Sequence, residues 1–494
     1  MSTATATLFN QYAQDFQGVF NQAAAFHDEF AQALAAAGSV YAEAEATNGA
    51  AANVTLVMGG SGNPNPPQSY VNAVVTKYIT PNFPAFTVSD AQALFTPEAF
   101  YPLTGIKDLT PNVSVARGVT ILDGAIHQQL SAGNNVAVLG FSQSSIIASL
   151  EMRNLDPSGT PSSLPIVFSL LGDPMNPNDG LLARFPGLTM PSLRFTFYGA
   201  TPGNDFPTNI YTIEYDGFAD FPQYPIDFLA DLNAIAGIYY VHGTYADLTP
   251  TQIGSAIPLT NTVGPTTTNY YMIPNPHLPL LEPLRAIPVV GTPVADLLEP
   301  DMRVLVNLGY GSPDEGWSPG PPNVPTPFKL FPPVNPGTVF GDLVTGTQQG
   351  IGAFVGDVGA PRDHACRLPA CRTRCRRSRR RRSAHLSRSP ASSLPCRRPT
   401  PMSSLPSRAL STGYAVLLPT ADFATAAVLS VPSYDVNLFL NGILQAVNGD
   451  PVGLVNAVGD LIAADVALFT IAGGFEAMVL ASAAHSIVAD FTSL

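Results

Sequence analysis

The stretch VAVLGFSQSSII, residues 136–147, sets a hydroxyl where chemistry is possible. An apolar run leads into Gly140, Ser142 follows two residues later, and an apolar helical run begins soon after. A serine on a sharp strand-to-helix turn exposes its oxygen to a histidine on one side and a substrate on the other. Small residues two before and two after it relieve the crowding of such a turn. Gly140 and Ser144 take those positions, with serine at 144 where glycine is more usual. The competing reading is an ordinary turn with Ser142 as a helix N-cap.

A nucleophilic serine needs a base, an acid to orient the base, and donors for the oxyanion. In chains where the serine sits on such an elbow, the order is serine, acid, histidine. Seven histidines are present, and His242 and His277 follow Ser142 at workable distances. His277 lies in YYMIPNPHLPLLEPL, boxed between prolines after an extended run. His242 lies in YYVHGTY beside an expected strand, where a structural histidine is common. His277 is therefore favoured as base. Asp216 ends the expected strand 209–215 and is favoured as acid, with Asp220 the alternative. Asp173 also ends a strand, one strand too early. A turn-capping role is the competing reading for each aspartate. Backbone N–H groups at Gly59 to Ser61, Gly60 and Ser61 foremost, and the N–H of Gln143 are expected to bind the oxyanion. The GGSGNP turn lacks the Lys-Ser/Thr of a phosphate loop, so nucleotide binding is not favoured.

The elements that must hold these residues alternate. Val54–Met58, the run before Ser142, LPIVFSLLGDP and NIYTIEYDGFADFP read as strands. Ser114 is expected to cap a helix with Val115, Val119, Leu122, Ile126 and Leu130 on one face. Strands alternating with helices, with polar residues at strand ends, predict a parallel α/β sheet. Residues 1–48 carry apolar residues three or four apart, from Phe9 to Tyr41, and predict one long helix in need of a partner. Residues 286–360 are rich in Pro and Gly and predict ordered loops packed on the sheet. Residues 412–494 predict helices.

The net charge of −13 hides two opposite parts. Residues 361–408 hold 14 of the 23 basic residues and one acid, and all four cysteines. The remainder, with 9 basic and 35 acidic residues, stands at −26, and it has no cysteine for a disulfide. The segment suits a basic arm for an anionic surface, but Arg, Pro, Ala, Ser, Cys and His are also what a GC-rich gene yields out of frame. A frameshift island is the preferred reading, and disorder is expected under either. Its C-x4-C-x3-C spacing fits no common zinc pattern, and no metal or nucleic-acid partner is expected. Val466–Ala484 is the nearest approach to a membrane span, but Glu476 and two adjacent glycines argue against one. The N-terminus lacks the basic start and apolar core of a cleaved signal peptide.

FNQAAAFHDEFAQALAAAGSVYAEAEATN resembles the second half of the PE domain of mycobacterial PE proteins. The strings GFSQS, LLGDPMNPNDGLLARFPG, TIEYDGFADFPQYP and HLPLLEPLR resemble the PE-PPE C-terminal domain, a cutinase-like serine hydrolase module. The resemblance implies a partial PE-type helical domain (1–50), an α/β-hydrolase domain (51–340), the basic segment (361–408) and a helical C-terminal region (412–494). It implies esterase or lipase activity on acyl esters through Ser142, with Asp216 and His277 as the matches for acid and base and no cofactor. Acyl transfer in envelope lipid assembly, or an inactive surface protein, are the alternatives. It further implies type VII export to the cell wall or surface, with Tyr41 and Glu45 matching the export pattern, and pairing with a PPE protein. The first PE helix has no counterpart here, which puts pairing and export in question.

Overall fold

A computed structural model describes residues 51–105, 108–359 and 417–492. The strands are β1 (Asn53–Val57), β2 (Ala91–Ala93), β3 (Asn135–Phe141), β4 (Ile166–Leu171), β5 (Thr189–Met190), β6 (Phe195–Thr196), β7 (Thr208–Ile213), β8 (Ile257–Leu259) and β9 (Thr268–Ile273). Seven of them form one sheet in the order β2-β1-β3-β4-β7-β9-β8. All neighbours run parallel except β8, which closes the edge antiparallel to β9. β5 and β6 make a separate small hairpin.

The longer helices are α1 (Gln68–Val74), α2 (Pro111–Ser131), α3 (Gln143–Leu155), α4 (Phe228–Tyr240), α5 (Gly291–Leu308), α6 (Pro336–Gly359), α7 (Leu417–Leu429), α8 (Val431–Val447) and α9 (Gly453–Thr492). The continuous apolar run of β3 is explained by burial on both faces, as parallel strands require. Its Val136 and Val138 enter one core with α2 and α3, while Ala137 and Leu139 enter the other with Val71 and Val74 of α1. Period-two alternation thus feeds two cores from one strand.

The parallel α/β expectation holds, and the C-terminal region is helical. Ala426, Val431, Ala467 and Leu468 of α7, α8 and α9 join the same core as α2 and α3. Many large apolar side chains of these helices, Val428, Leu440 and Val455 among them, stay exposed. By length and composition alone, Leu417–Val447 and Gly453–Ala484 are long and apolar enough to cross a membrane. The first of these breaks at Ser430 between α7 and α8.

Two local expectations are corrected. Residues 286–360 are not mainly loops: α5 and α6 lie there and pack on each other. Two glycines of α6 serve close approach rather than turns. A Cβ on Gly350 would stand 2.1 Å from the Leu297 carbonyl oxygen, and one on Gly346 would stand 2.4 Å from Asp301 Oδ1. Ser114 does not cap α2. Thr110 stands at the cap position, and Ser114 turns inward from the first turn. The expected N-terminal helix, Tyr41, Glu45 and the basic island lie outside the described residues.

Candidate active site

Open parallel sheets leave a crevice beyond the carboxyl ends of their strands, and ligands bind there. Four adjacent strands deliver the site in this chain. Gly60 and Ser61 follow β1, Ser142 follows β3, Gly172 follows β4 and Asp216 follows β7.

Ser142 sits at φ 57°, ψ −117°, a backbone conformation that costs a non-glycine residue about 1–3 kcal/mol. The surroundings enforce it. Its N–H donates to the Leu171 carbonyl at 3.0 Å, anchoring the turn to β4. Ser144 Oγ accepts from the Phe141 N–H at 2.8 Å, closing the turn from within. A side chain at Gly140 has no room, since its Cβ would lie 2.7 Å from the Ser144 carbonyl oxygen. Ser142 is thus a strained elbow: it stands at the N-cap position of α3, but its side chain makes no capping bond.

Ser142 Oγ lies 2.7 Å from His242 Nε2. His242 Nδ1 lies 2.8 Å and 2.9 Å from the two carboxylate oxygens of Asp216. Asp216 is fully buried, and it also accepts from the Tyr245 hydroxyl at 2.7 Å and the Phe218 N–H at 3.2 Å. Burial and the Asp216 charge push the Tyr245 phenol well above its ordinary value, so it remains a proton donor. With Nδ1–H donated to the carboxylate, Nε2 faces Ser142 as an acceptor. The imidazole is wedged between the Phe141 and Phe218 rings, at 5.2 Å and 4.7 Å between centroids.

The structure therefore brings Ser142 together with Asp216 and His242, and it corrects the choice of His277. His277 is exposed in the loop beyond β9, and its backbone N–H donates to Asn275 Oδ1. The reason lies in α4. The run before His242 is helix rather than strand, and His242 opens the 3-10 turn that follows it. Gly237 lets that helix press against the sheet, since a Cβ there would stand 1.8 Å from the Tyr215 carbonyl oxygen. The helix end is thereby held beside residue 216, and β9 lies one strand further out.

Asp220 is not a partner of the imidazole. It accepts from the Tyr215 N–H at 2.7 Å and braces the turn that carries Asp216. Burial and the nearby Asp179 push its carboxyl well above the usual range. Asp173 accepts from the Thr201 hydroxyl and the Met175 N–H, and burial raises it to about 6.

Gly60 lies against Ser142. A Cβ on it would meet the Phe141 ring at 2.7 Å and Ser142 Cβ at 3.2 Å, so the β1 turn passes directly beside the serine. Gln143 opens α3, where N–H groups and the helix dipole favour negative charge. Its side chain locks the neighbouring loops. Nε2 donates to the Ala99 carbonyl at 2.9 Å and approaches Ser61 Oγ at 3.4 Å, while Oε1 accepts from the Ser114 hydroxyl at 2.7 Å. That inward contact is why Ser114 is buried.

Sequence reasoning missed Tyr245 and Gly172. Tyr245 stands three residues after His242 in the same YYVHGTY string. Gly172 has φ +53°, and a Cβ there would lie 3.1 Å from Asp216 Oδ2 and 3.2 Å from His242 Cε1. Among the described residues, no cluster of three or more His, Cys, Asp or Glu could hold a metal.

The family model described as "PE-PPE domain" matches residues 87–311, and the one described as "PE family" matches residues 1–48. The uncharacterized PPE family protein PPE28 of Mycobacterium tuberculosis is 51% identical over 91% of this chain and 68% of its own length. The esterase PE16 of the same organism is 47% identical over 67% of this chain and 64% of its own length. A more distant relative there, the SL1278 acyltransferase Chp1, is 33% identical over 43% of this chain and 52% of its own length.

Proposed function

This chain belongs to the mycobacterial PE family and carries a PE-PPE domain, and from that premise we propose that it is a serine ester hydrolase working through Ser142, His242 and Asp216. The observation that carries the reading is the continuous line from Ser142 Oγ through both ring nitrogens of His242 to the buried carboxylate of Asp216. Similarity to an esterase supports the reaction class.

His242 Nε2 takes the proton from Ser142 Oγ as that oxygen forms a bond to the acyl carbon. Asp216 holds the ring in the required tautomer and stabilises the imidazolium. The carbonyl oxygen gains charge and is received by the N–H groups of Ser61 and Gln143, with Gly60 lining the approach. Collapse breaks the ester C–O bond, and the departing alkoxide takes the proton from His242. Water, deprotonated by His242, then attacks the acyl carbon; the bond to Ser142 Oγ breaks, the acid leaves, and His242 returns the proton to Oγ. Serine chemistry of this kind draws on no metal or cofactor.

The test is labelling with a fluorophosphonate probe, with Ser142→Ala as control and the adduct mapped by mass spectrometry. Label at Ser142, absent from the variant, is the expected result. A folded protein that takes no label overturns the mechanism and favours a non-catalytic surface protein. Likeness to Chp1 supports a second reading, in which the same acyl-enzyme passes to a sugar hydroxyl. Product partition with an added alcohol acceptor separates the two. The PE match over 1–48, with Tyr41 and Glu45 in the export pattern, supports export to the envelope and pairing with a PPE protein as part of the same proposal.

A further inference from the structure

The recess at Ser142 is small, about 20 Å³, and its walls include Phe100, Pro111, Phe195 and Phe218. That is room for about one water molecule, so an acyl group on Ser142 must continue elsewhere. The same four residues also wall a neighbouring cavity of about 360 Å³. Its far side is built by the C-terminal helices, through Phe423 and Ala424 of α7 and Leu468, Ala472 and Phe475 of α9. The aromatic rings form one connected set. Phe218 touches His242 at 4.7 Å between centroids and Phe475 at 6.0 Å, and Phe100 lies 6.3 Å from Phe475 and 5.9 Å from Phe195. The α7 side is fastened to the domain by Asp422, whose carboxylate accepts from the Tyr101 hydroxyl at 2.8 Å and whose carbonyl accepts from Ser192 Oγ at 2.9 Å. The polar side chains at the cavity, Thr420 and Glu476, bond each other.

We propose that this cavity is the acyl-chain site, and that the C-terminal helices build it to hold a long fatty acyl chain while the ester carbonyl sits at Ser142. The inference rests on the hydrolase reading for its orientation, but not for its occupancy. Apart from Tyr101, Thr420 and Glu476, whose carboxylate keeps one oxygen unbonded among the described residues, the walls are carbon, and along most of its length a headgroup or sugar finds nothing to bond. A hydrocarbon chain gains about fourfold in affinity for each methylene it buries. The shared wall is what ties this cavity, rather than any other, to the serine.

Occupancy is tested without catalysis, in the Ser142→Ala protein, by calorimetric titration with palmitate and with butyrate. Ala424 and Ala472 line the cavity from different helices and are not fully buried, so Ala424→Trp and Ala472→Trp fill it with little disturbance elsewhere. Val458, exposed on α9 and away from the cavity, supplies the control Val458→Trp. Palmitate is expected to bind the parent and raise its melting temperature, and butyrate is not. Each cavity-filling variant is expected to weaken palmitate tenfold or more, with Val458→Trp equal to the parent. Failure of palmitate to bind the parent or to raise its melting temperature overturns the proposal. So does binding indifferent to both cavity variants. Fluorophosphonate labelling of the wild type, run beside it, reports separately on the hydrolase reading: palmitate can bind where no label is taken, and label can be taken where palmitate does not bind.

Discussion

The carboxyl edge of the sheet and the helical roof above it are held by different forces. At the edge, the groups that meet Ser142 are tied by hydrogen bonds: the imidazole to the serine and the carboxylate, the carboxylate to a phenol and a backbone N–H, the elbow to its own turn. Under the roof, α7 and α9 meet the domain mainly through carbon, with small residues such as Ala463, Ala464 and Ala467 at the contact. A hydrogen-bonded constellation fails abruptly when one atom is lost or displaced, because donors and charges are left unpaired in a dry site. An apolar wall loses function in proportion to the volume changed. The two regions should therefore answer substitution on different scales.

The largest contrast lies between the two histidines. Ser142→Ala and His242→Ala are each expected to lower kcat/KM for a simple acyl ester by about 10⁴-fold. His277→Ala is expected to stay within about twofold of wild type, since His277 is exposed and bonded only to its own loop. Steady-state kinetics of the three variants decide it. Loss of activity in His277→Ala with retention in His242→Ala would break the assignment.

Gly172→Ala ranks next. The substitution adds one carbon that touches nothing under the roof and crowds three partners at the edge. The methyl would stand 2.9 Å from Tyr245, 3.1 Å from Asp216 and 3.2 Å from His242, at a φ where a Cβ is already strained. Displacement of the pair by a fraction of an ångström is expected to cost about 10²-fold in kcat. A variant as active as wild type would show that the edge tolerates more motion than its bonding suggests.

The same contrast governs what could be read from the sequence. Ser142 was legible because its elbow is local, set by Gly140 and Ser144 within two residues on either side. Asp216 was legible as an acid ending an apolar strand. His242 was not, because the run IAGIYYV before it suits a helix or a buried strand equally. Only the contact of Gly237 with the Tyr215 carbonyl, made across 22 residues of sequence, fixes which it is and where it ends. Proline and glycine in 286–360 misled for the same reason, since Gly346 and Gly350 answer to a neighbouring helix rather than to their own turn. Helicity from 417 onward was legible from composition, while the docking of those helices beside the serine was not, since apolar contacts carry little directional signal.

Beside the oxyanion turn lies a titratable group of another kind. Glu98 is buried, and its carbonyl accepts from the Gly62 N–H at 2.7 Å. Burial pushes its carboxyl from 4.5 up to about 8, against a lowering by the Thr96 hydroxyl. The folded chain thus keeps a proton that the unfolded chain has released. Stability is fully present below about pH 4.5, falls as pH rises through this window, and levels off above pH 8. Glu98→Gln keeps the neutral form at every pH and is expected to raise stability at pH 8 by roughly 2–4 kcal/mol, with little change at pH 4. Urea unfolding at the two pH values checks this, and parallel stability curves for wild type and variant would refute it.

The smallest effect tests whether the edge is as tightly coupled as it looks. Tyr245 does not line the recess at Ser142, and its hydroxyl reaches the catalytic line through Asp216. Its hydroxyl donates to Oδ2 at 2.7 Å and accepts from the Ile213 N–H at 2.9 Å. Tyr245→Phe keeps the ring beside Phe141 but removes one of the donors that fix the carboxylate, and it strands a buried N–H. The stability cost is expected at about 1–2 kcal/mol. If Tyr245 positions Asp216, kcat falls by about tenfold while KM holds, because the substrate never meets the phenol. If the phenol serves packing alone, the melting temperature drops and kcat does not. The second outcome would mean that His242 and the Phe218 N–H suffice to orient the carboxylate, and that the edge has slack which its hydrogen bonds conceal.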